Sequence, residues 1–309
     1  MSAINWSAGG IIALSLMVLS VHLAADTNEF SVYNIEWNGT STLHRIIEDA
    51  GGSMVWDTST LQALDNTTLI IIAPYPGFDS EDVVALREFI RRGNAIVIAD
   101  DSGAANSLLI ALSSGMRVIP ANLSSFDREY NDPRMVRGVR SSNTTLLPDV
   151  TSIITNRAAV VEGGDPLITT TLLSWLDKDG NGRISPEEEI GRFTLIATED
   201  LEGGLLMLVS DPSVVINAMG VQDSNSENLR FIQGMLGLRA HTALDLIHGR
   251  TGSAGPTTRL LQDLKKSSTV RIGVVVLCII GIGLVFRRMR KRQQRELMMT
   301  RPVVLKPYR

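Results

Sequence analysis

The run TTLIIIAPY at residues 67–75 places Leu69, Ile70, Ile71, Ile72 and Ala73 in unbroken succession. A strand that is apolar on consecutive positions is covered on both faces, which an open sheet achieves between two layers of helices. The neighbouring sequence fits that demand, because β-rich runs alternate with helical patterns, the signature of a parallel α/β sheet. Further strands are expected at FSVYNI (30–35), GSMVWD (52–57), NAIVIADD (94–101) and MRVI (116–119). FTLIATED and LLMLVSDPSVVIN return as strands around a turn at Glu202, Gly203 and Gly204. Helices are expected from Ser41, with Leu43, Ile46 and Ile47 on one face, and from Asp79 or Ser80 as N-cap to the terminator Gly93. Two more are expected in SGAANSLLIALSSG and NLRFIQGMLG. Residues 120–164 show no clear period.

Charge is divided unevenly along the 309 residues. The tail, residues 287–309, holds nine Lys and Arg against Glu296 alone, a net +8 that leaves about −12 on the remainder of a chain of formal charge −4. An acidic body repels phosphates, so nucleic acid is not the expected partner. Two apolar segments explain the division: the uncharged residues 9–25, and a span extended to 269–286 that takes in Arg271 and is bordered by RRMRKRQQR. By the positive-inside rule the basic cluster faces the cytoplasm and contacts anionic membrane lipid, so that the intervening domain is extracytoplasmic. Residues 1–8 are then a short cytoplasmic N-terminus, and 9–25 an uncleaved transmembrane anchor or a removed signal peptide. An α/β domain follows over 26–238, then a stalk over 239–268, a transmembrane helix over 269–286 and a basic cytoplasmic tail over 287–309. The lone Cys278 lies inside the apolar span, which rules out a disulfide framework within one chain.

The most specific motif is LDKDGNGRISPEEE, which matches D-x-[DN]-x-[DN]-G-x5-E in full. Asp177, Asp179 and Asn181 supply the first three oxygen ligands, Arg183 its backbone carbonyl, Ser185 a direct or water-mediated ligand, and Glu188 a bidentate carboxylate. Gly182 stands where the sharp turn needs a residue without Cβ, and Ile184 is expected to pack the loop down. Hard oxygen donors select Ca²⁺ over Zn²⁺. The β-branched ITTT before the loop and the single turn available after it leave no room for two EF-hand helices. The loop over 177–188 is therefore expected to be a permanently filled staple rather than a switch.

In doubly wound folds ligands bind at the carboxyl ends of the strands. The candidates there are Asn34, Asp100, Asp101, Asn106, Asp211, Ser213 and Asn217, with Tyr75 and Ser102 beside them. The alternative reading is an extracytoplasmic hydrolase acting at this rim, with Ser102 read beside His44, His241 or His248, or with an Asp100 or Asp101 carboxylate. Against it stands the context ADDSGAAN, which lacks the G-x-S-x-G elbow. Helix capping by Asp101 and Ser102, and a turn at Asp211-Pro-Ser, are the simpler roles. Sequons begin at Asn38, Asn66, Asn122 and Asn143.

The stretches YNIEWNGTSTL, LIIIAPYPGF, FIRRGNAIVIADDSGAANSLL, VSDPSVVIN and NLRFI resemble the membrane-anchored family called domain of unknown function 4350. That resemblance implies a flavodoxin-like fold of the class I glutamine-amidotransferase type. It also implies a D-E-x-H-like stretch after the last helix, to which Asp245-Leu-Ile-His248 corresponds without the second acid. Amidotransferase chemistry needs a Cys at a strand-to-helix elbow, and none is available there. The expected function is a non-catalytic, membrane-anchored accessory domain of a transporter or envelope complex, binding a membrane-protein partner or a small ligand.

Overall fold

In the computed structural model the described residues are 26–75, 77–128, 131–220, 227–255 and 258. The chain divides into two units, 1–255 and 256–309, and the fold described is that of the first. Both apolar segments and the basic tail lie outside the described residues, among which no helix is long and apolar enough to cross a membrane.

Helix α1 (Ser41–Asp49) leads to β1 (Ser53–Val55), a 3-10 turn (Thr58–Ala63), β2 (Thr67–Ile72), α2 (Ser80–Arg91), β3 (Ala95–Ala99) and α3 (Asn106–Ala111). An insert of short strands follows: β4 (Arg117–Ile119), β5 (Leu123–Ser125), β6 (Arg137–Arg140), β7 (Ser152–Ile154), β8 (Val160–Glu162), β9 (Asp165–Thr169), β10 (Ser174–Leu176) and β11 (Ile190–Gly191). The chain then returns through β12 (Thr194–Leu201) and β13 (Gly204–Val209). It ends this unit with a 3-10 turn (Pro212–Val215), α4 (Asn217–Gly220), α5 (Glu227–Leu236) and β14 (His241–Asp245).

The main sheet runs β1-β14-β2-β3-β13-β12-β9-β6-β7. From β1 to β13 every pairing is parallel, and from β13 to β7 every pairing is antiparallel. The wholly parallel sheet expected from sequence is thus only the first half of a mixed one. Residues 116–119 do form a strand, but it pairs antiparallel with β8 in a separate ribbon. Strands β5, β10 and β11 make a third, three-stranded sheet.

Strand β2 shows how sequence dictates the layers. Its side chains alternate: Leu69 and Ile71 enter one core with Leu86, Phe89 and Ile90 of α2 and Leu108 and Leu109 of α3. Ile70 and Ile72 enter the opposite core with Leu43 and Ile47 of α1 and Phe231 and Ile232 of α5. All four β2 residues are almost entirely inaccessible to solvent, and burying each such side chain contributes roughly 1.5–3 kcal/mol. This is the two-sided burial that the unbroken apolar run demands. Helix α2 starts at a capping box: Asp79 accepts from the Glu81 and Asp82 amides, and Asp82 accepts from that of Asp79.

Three expectations are corrected here. FSVYNI is not a strand; it is a series of turns in which Phe30 adopts φ +61° and Ser31, Thr40 and Asn34 hold the chain by side-chain hydrogen bonds. In flavodoxin-like order, 2-1-3-4-5, the first strand lies between the second and third; that slot, between β1 and β2, is filled by β14 from the far end of the unit. Residues from 239 onward therefore do not begin a stalk. Ala243, Leu244 and Asp245 are buried in the sheet, and the backbone through Ser253 is bonded to Ala73, Val55 and Val32. The third difference is local: PSVVI continues as a 3-10 turn rather than a strand, because Asp211 caps it and Pro212 lacks the amide a ladder needs.

Candidate functional site

Three parallel strands end in an aspartate that is bonded back to the turn that follows it. After β3, Asp100 Oδ1 accepts from the Ser102 amide (2.8 Å) and hydroxyl (2.7 Å), and Oδ2 from the Ala105 amide (2.8 Å). After β13, Asp211 Oδ1 accepts from the Ser213 amide (2.7 Å) and Oδ2 from the Asn156 amide (2.5 Å). At the end of β14, Asp245 Oδ1 accepts from the amides of Ile247 (2.8 Å) and His248 (2.7 Å). Buried main-chain donors require partners, and at each strand end a short acidic side chain supplies one without lengthening the loop.

Above these braces lies an open cleft of about 420 Å³. Its floor is the end of β2, Ala73 and Pro74, with Asp101 and Ser102 after β3 and Ser213 after β13. Asn156 and Arg157 approach from the insert, Arg250 from the segment after β14, and Glu29, Phe30 and Trp37 from the turns that replace the expected first strand. Ala73 has φ +45° and Arg157 φ +59°, a region that non-glycine residues enter at a cost when the surrounding fold holds them there. Arg250 donates its amide to the Ala73 carbonyl at 3.1 Å and pairs with Glu29 at 3.4 Å.

Burial is the main cause that pushes Asp101 above the usual carboxylate range, with the neighbouring Asp100 and Glu29 adding to it. Burial likewise pushes Asp211 up to about 7, against the two amide bonds it accepts. Of the seven predicted ligand residues, Asp101 and Ser213 line the cleft, and Asp100 and Asp211 brace it from below. The other three are structural. Asn34 is buried and bonds Asn28, Glu36 and Asn38. Asn106 bridges to both backbone groups of Val118. Asn217 takes the Thr42 amide at the start of α1 and donates to the carbonyls of Asn34 and Glu36. Neither Asp101 nor Ser102 caps α3, whose N-cap Ala105 has no side-chain cap; Asp100 braces the turn before the helix instead.

A second polar cluster stands at the end of β14. His248 Nδ1 lies 2.7 Å from Asp245 Oδ2, and its Nε2 lies 3.0 Å from Asp82 Oδ1 as an ion pair without hydrogen-bond alignment. Phe78 stacks on the imidazole with centroids 5.1 Å apart. Burial disfavours the imidazolium, but Asp245, reinforced by Asp82, outweighs it and raises His248 to about 9. Asp82 thus divides its oxygens, one closing the α2 capping box and the other facing Thr58 and His248.

The calcium-like loop joins two antiparallel strands, β10 and β11, with no helix on either side. Ligand oxygens of Asp177, Asp179 and Glu188 lie within 4.8 Å of one another. Asp177 is buried and accepts from the Asn181 and Gly182 amides, Glu188 from those of Lys178 and Ser185, and Asn181 Oδ1 from that of Arg183. The Ser185 hydroxyl reaches Asp179 at 3.2 Å, and Gly182 adopts φ +70°. This hard-oxygen donor set fits Ca²⁺. Ile184, expected to pack inward, is 39% exposed, because a hairpin loop has no facing helix pair to receive it.

Glu29, Trp37, Asn156, Arg157 and Arg250 carry no signal in the sequence that marks them as a set. They come from four separated turns, and only β14's place in the sheet brings Arg250 to the rim.

The fold and cleft define a mixed α/β domain with an open cleft at the carboxyl ends of its parallel strands. The chain belongs to the family described as Domain of unknown function (DUF4350), whose model matches residues 32–236; β14 and the Arg250 wall lie beyond that range. No curated protein matches the sequence. Among solved structures, the chain is similar to the mmIFT52 N-terminal domain, with 13% identity and a TM-score of 0.47 over 64% of this chain and 89% of that one.

Proposed function

We propose that this chain is a non-catalytic, amidotransferase-like binding domain, held on the extracytoplasmic side of a membrane as an accessory subunit of a transporter or envelope complex. The observation that carries the non-catalytic reading is the elbow at the end of β2. The strained position there is Ala73, which has no nucleophile, and the nearby Ser102 hydroxyl is committed to Asp100 at 2.7 Å. The rim keeps its pre-shaped crevice, which suits binding. Membrane attachment is supported by the apolar segments at 9–25 and 269–286 and the basic tail after them. One Ca²⁺ at Asp177, Asp179, Asn181, Arg183, Ser185 and Glu188 would fasten the β10–β11 hairpin, a role supported by the convergent oxygens.

The test is a panel of ester, amide, glycoside and phosphoester substrates presented to the full chain, with Ser102→Ala as control. Turnover abolished by Ser102→Ala would establish the hydrolase instead. No turnover, together with saturable ligand binding lost on substitution of cleft residues, supports the binding domain.

A further inference from the structure

The chemistry of the rim cleft narrows its ligand. Three carboxylates, Glu29, Asp101 and Asp132, line it against two guanidiniums, Arg157 and Arg250. Arg250 is already paired with Glu29, and Asp132 with Arg134. A phosphate or polyanion would meet net negative charge there. A bare cation is no better served, since the only convergent acidic group among the described residues is the one in the 177–188 loop. A purely apolar ligand would leave the charged and amide groups without partners. What remains is a neutral molecule rich in hydroxyls, with an apolar face of its own.

Trp37 supplies the surface for that face. It lines the cleft, is 64% exposed, and no hydrogen bond from its indole is described; only its backbone carbonyl serves the fold, by accepting from the Ala218 amide at 3.0 Å. Large aromatic faces at a wet rim bind apolar patches while leaving polar groups hydrated. Beside it stand planar carboxylate, guanidinium and amide groups, which can each bridge two neighbouring hydroxyls. The backbone that carries them is pre-positioned: the Asn156 main-chain amide is held by Asp211, the Arg157 amide by the Arg134 carbonyl, and the Arg250 amide by the Ala73 carbonyl. Three of the non-glycine residues with left-handed backbone, Phe30, Ala73 and Arg157, lie around this one cleft, and such strain gathers where a ligand is clamped.

We infer that the cleft binds carbohydrate, a neutral sugar ring stacking on Trp37 while its hydroxyls are read by Asp101, Asn156, Arg157 and Arg250. This inference rests on the cleft being a binding site, and the experiment separates the two. The full chain is titrated with neutral gluco-, manno- and galacto-configured di- to tetrasaccharides, and in parallel with neutral tripeptides and inorganic phosphate. Tryptophan fluorescence and calorimetry are the readouts. At least one saccharide is expected to bind saturably, with Trp37→Ala weakening it about tenfold or more. Trp37→Phe should restore part of the loss, and Trp56→Phe, outside the cleft, should change nothing. Circular dichroism checks that Trp37→Ala is folded. Saccharide binding that Trp37→Ala leaves intact overturns the inference. Binding of tripeptide or phosphate without any saccharide overturns it too, while leaving the cleft a binding site. No binding by any probe up to about 10 mM overturns both readings.

Discussion

Two sets of acidic residues in this molecule look alike in sequence and differ in kind. At the rim, Asp100, Asp211 and Asp245 stand at separate strand ends, buried, with oxygens filled by nearby amides and, for Asp100 and Asp245, by the Ser102 hydroxyl and the His248 ring. In the β10–β11 hairpin, Asp177, Asp179 and Glu188 also accept amides, but their oxygens face one another within 4.8 Å. The first arrangement satisfies the protein's own donors and needs nothing further. The second concentrates negative charge, which a bound cation would relieve. For an Asp at a turn, convergence with other acids rather than identity is what makes a ligand site worth testing.

The largest expected effect breaks the rim set. Asp245→Ala removes the acceptor of two main-chain amides and leaves His248 buried between α2 and β14 with one carboxylate, and should cost about 3–5 kcal/mol in urea denaturation. A loss under about 1 kcal/mol would mean that β14 is not held by this brace. pH sharpens the same point. His248 is raised from 6.5 to about 9 in the folded state, so the folded protein holds its proton more tightly. Its contribution is fully present below pH 6.5 and is lost as pH rises through about 9. Asp211, raised from 3.8 to about 7, makes stability fall as pH rises across that interval. Stability curves for His248→Gln and Asp211→Asn should flatten in the upper and lower windows respectively; unchanged slopes would refute the assignments.

The hairpin set predicts a smaller, conditional effect. With calcium at ten times its dissociation constant, binding should add about 1.4 kcal/mol, or roughly 3–5 °C in melting temperature. Chelator should remove that gain, and the double substitution Asp177→Ala with Glu188→Ala should abolish the sensitivity. Equal melting temperatures with calcium and with chelator would leave the loop a polar turn. The smallest effect is Ile184→Ser. In a helix-flanked loop this residue would be core, whereas its exposure here predicts a change within about 0.5 kcal/mol, readable by thermal melts of the calcium-loaded protein.

Much of the rim was legible beforehand. The unbroken apolar run in TTLIIIAP, the capping signals around Asp79 and the Asp-Pro turn at 211 are local patterns enforced by backbone geometry, and they stand where expected. The loop residues were equally legible, since Gly182 and its spacing are a local demand. The predicted ligands failed where a polar side chain had two possible clients. Asn34, Asn106 and Asn217 read as ligand donors at strand ends, yet each is consumed by backbone groups of segments distant in sequence or disguised as loop. Trp37 and Arg157 gave no signal because nothing in their neighbours' periodicity says which turn will face the crevice.

The sequence by itself determined the layers: two-sided burial of β2, amphipathic α1, α2 and α5, and the acidic turns that end the strands. These follow from side-chain period and from amides that must be satisfied within a few residues. Only the tertiary structure decided which segment fills the slot between β1 and β2. FSVYNI and HTALD are both short and of mixed polarity, and a parallel strand draws its hydrogen bonds from neighbours far away in the chain. With HTALD in that slot, His248 meets Asp82, Arg250 reaches the cleft, and the turns left by FSVYNI bring Trp37 to its edge.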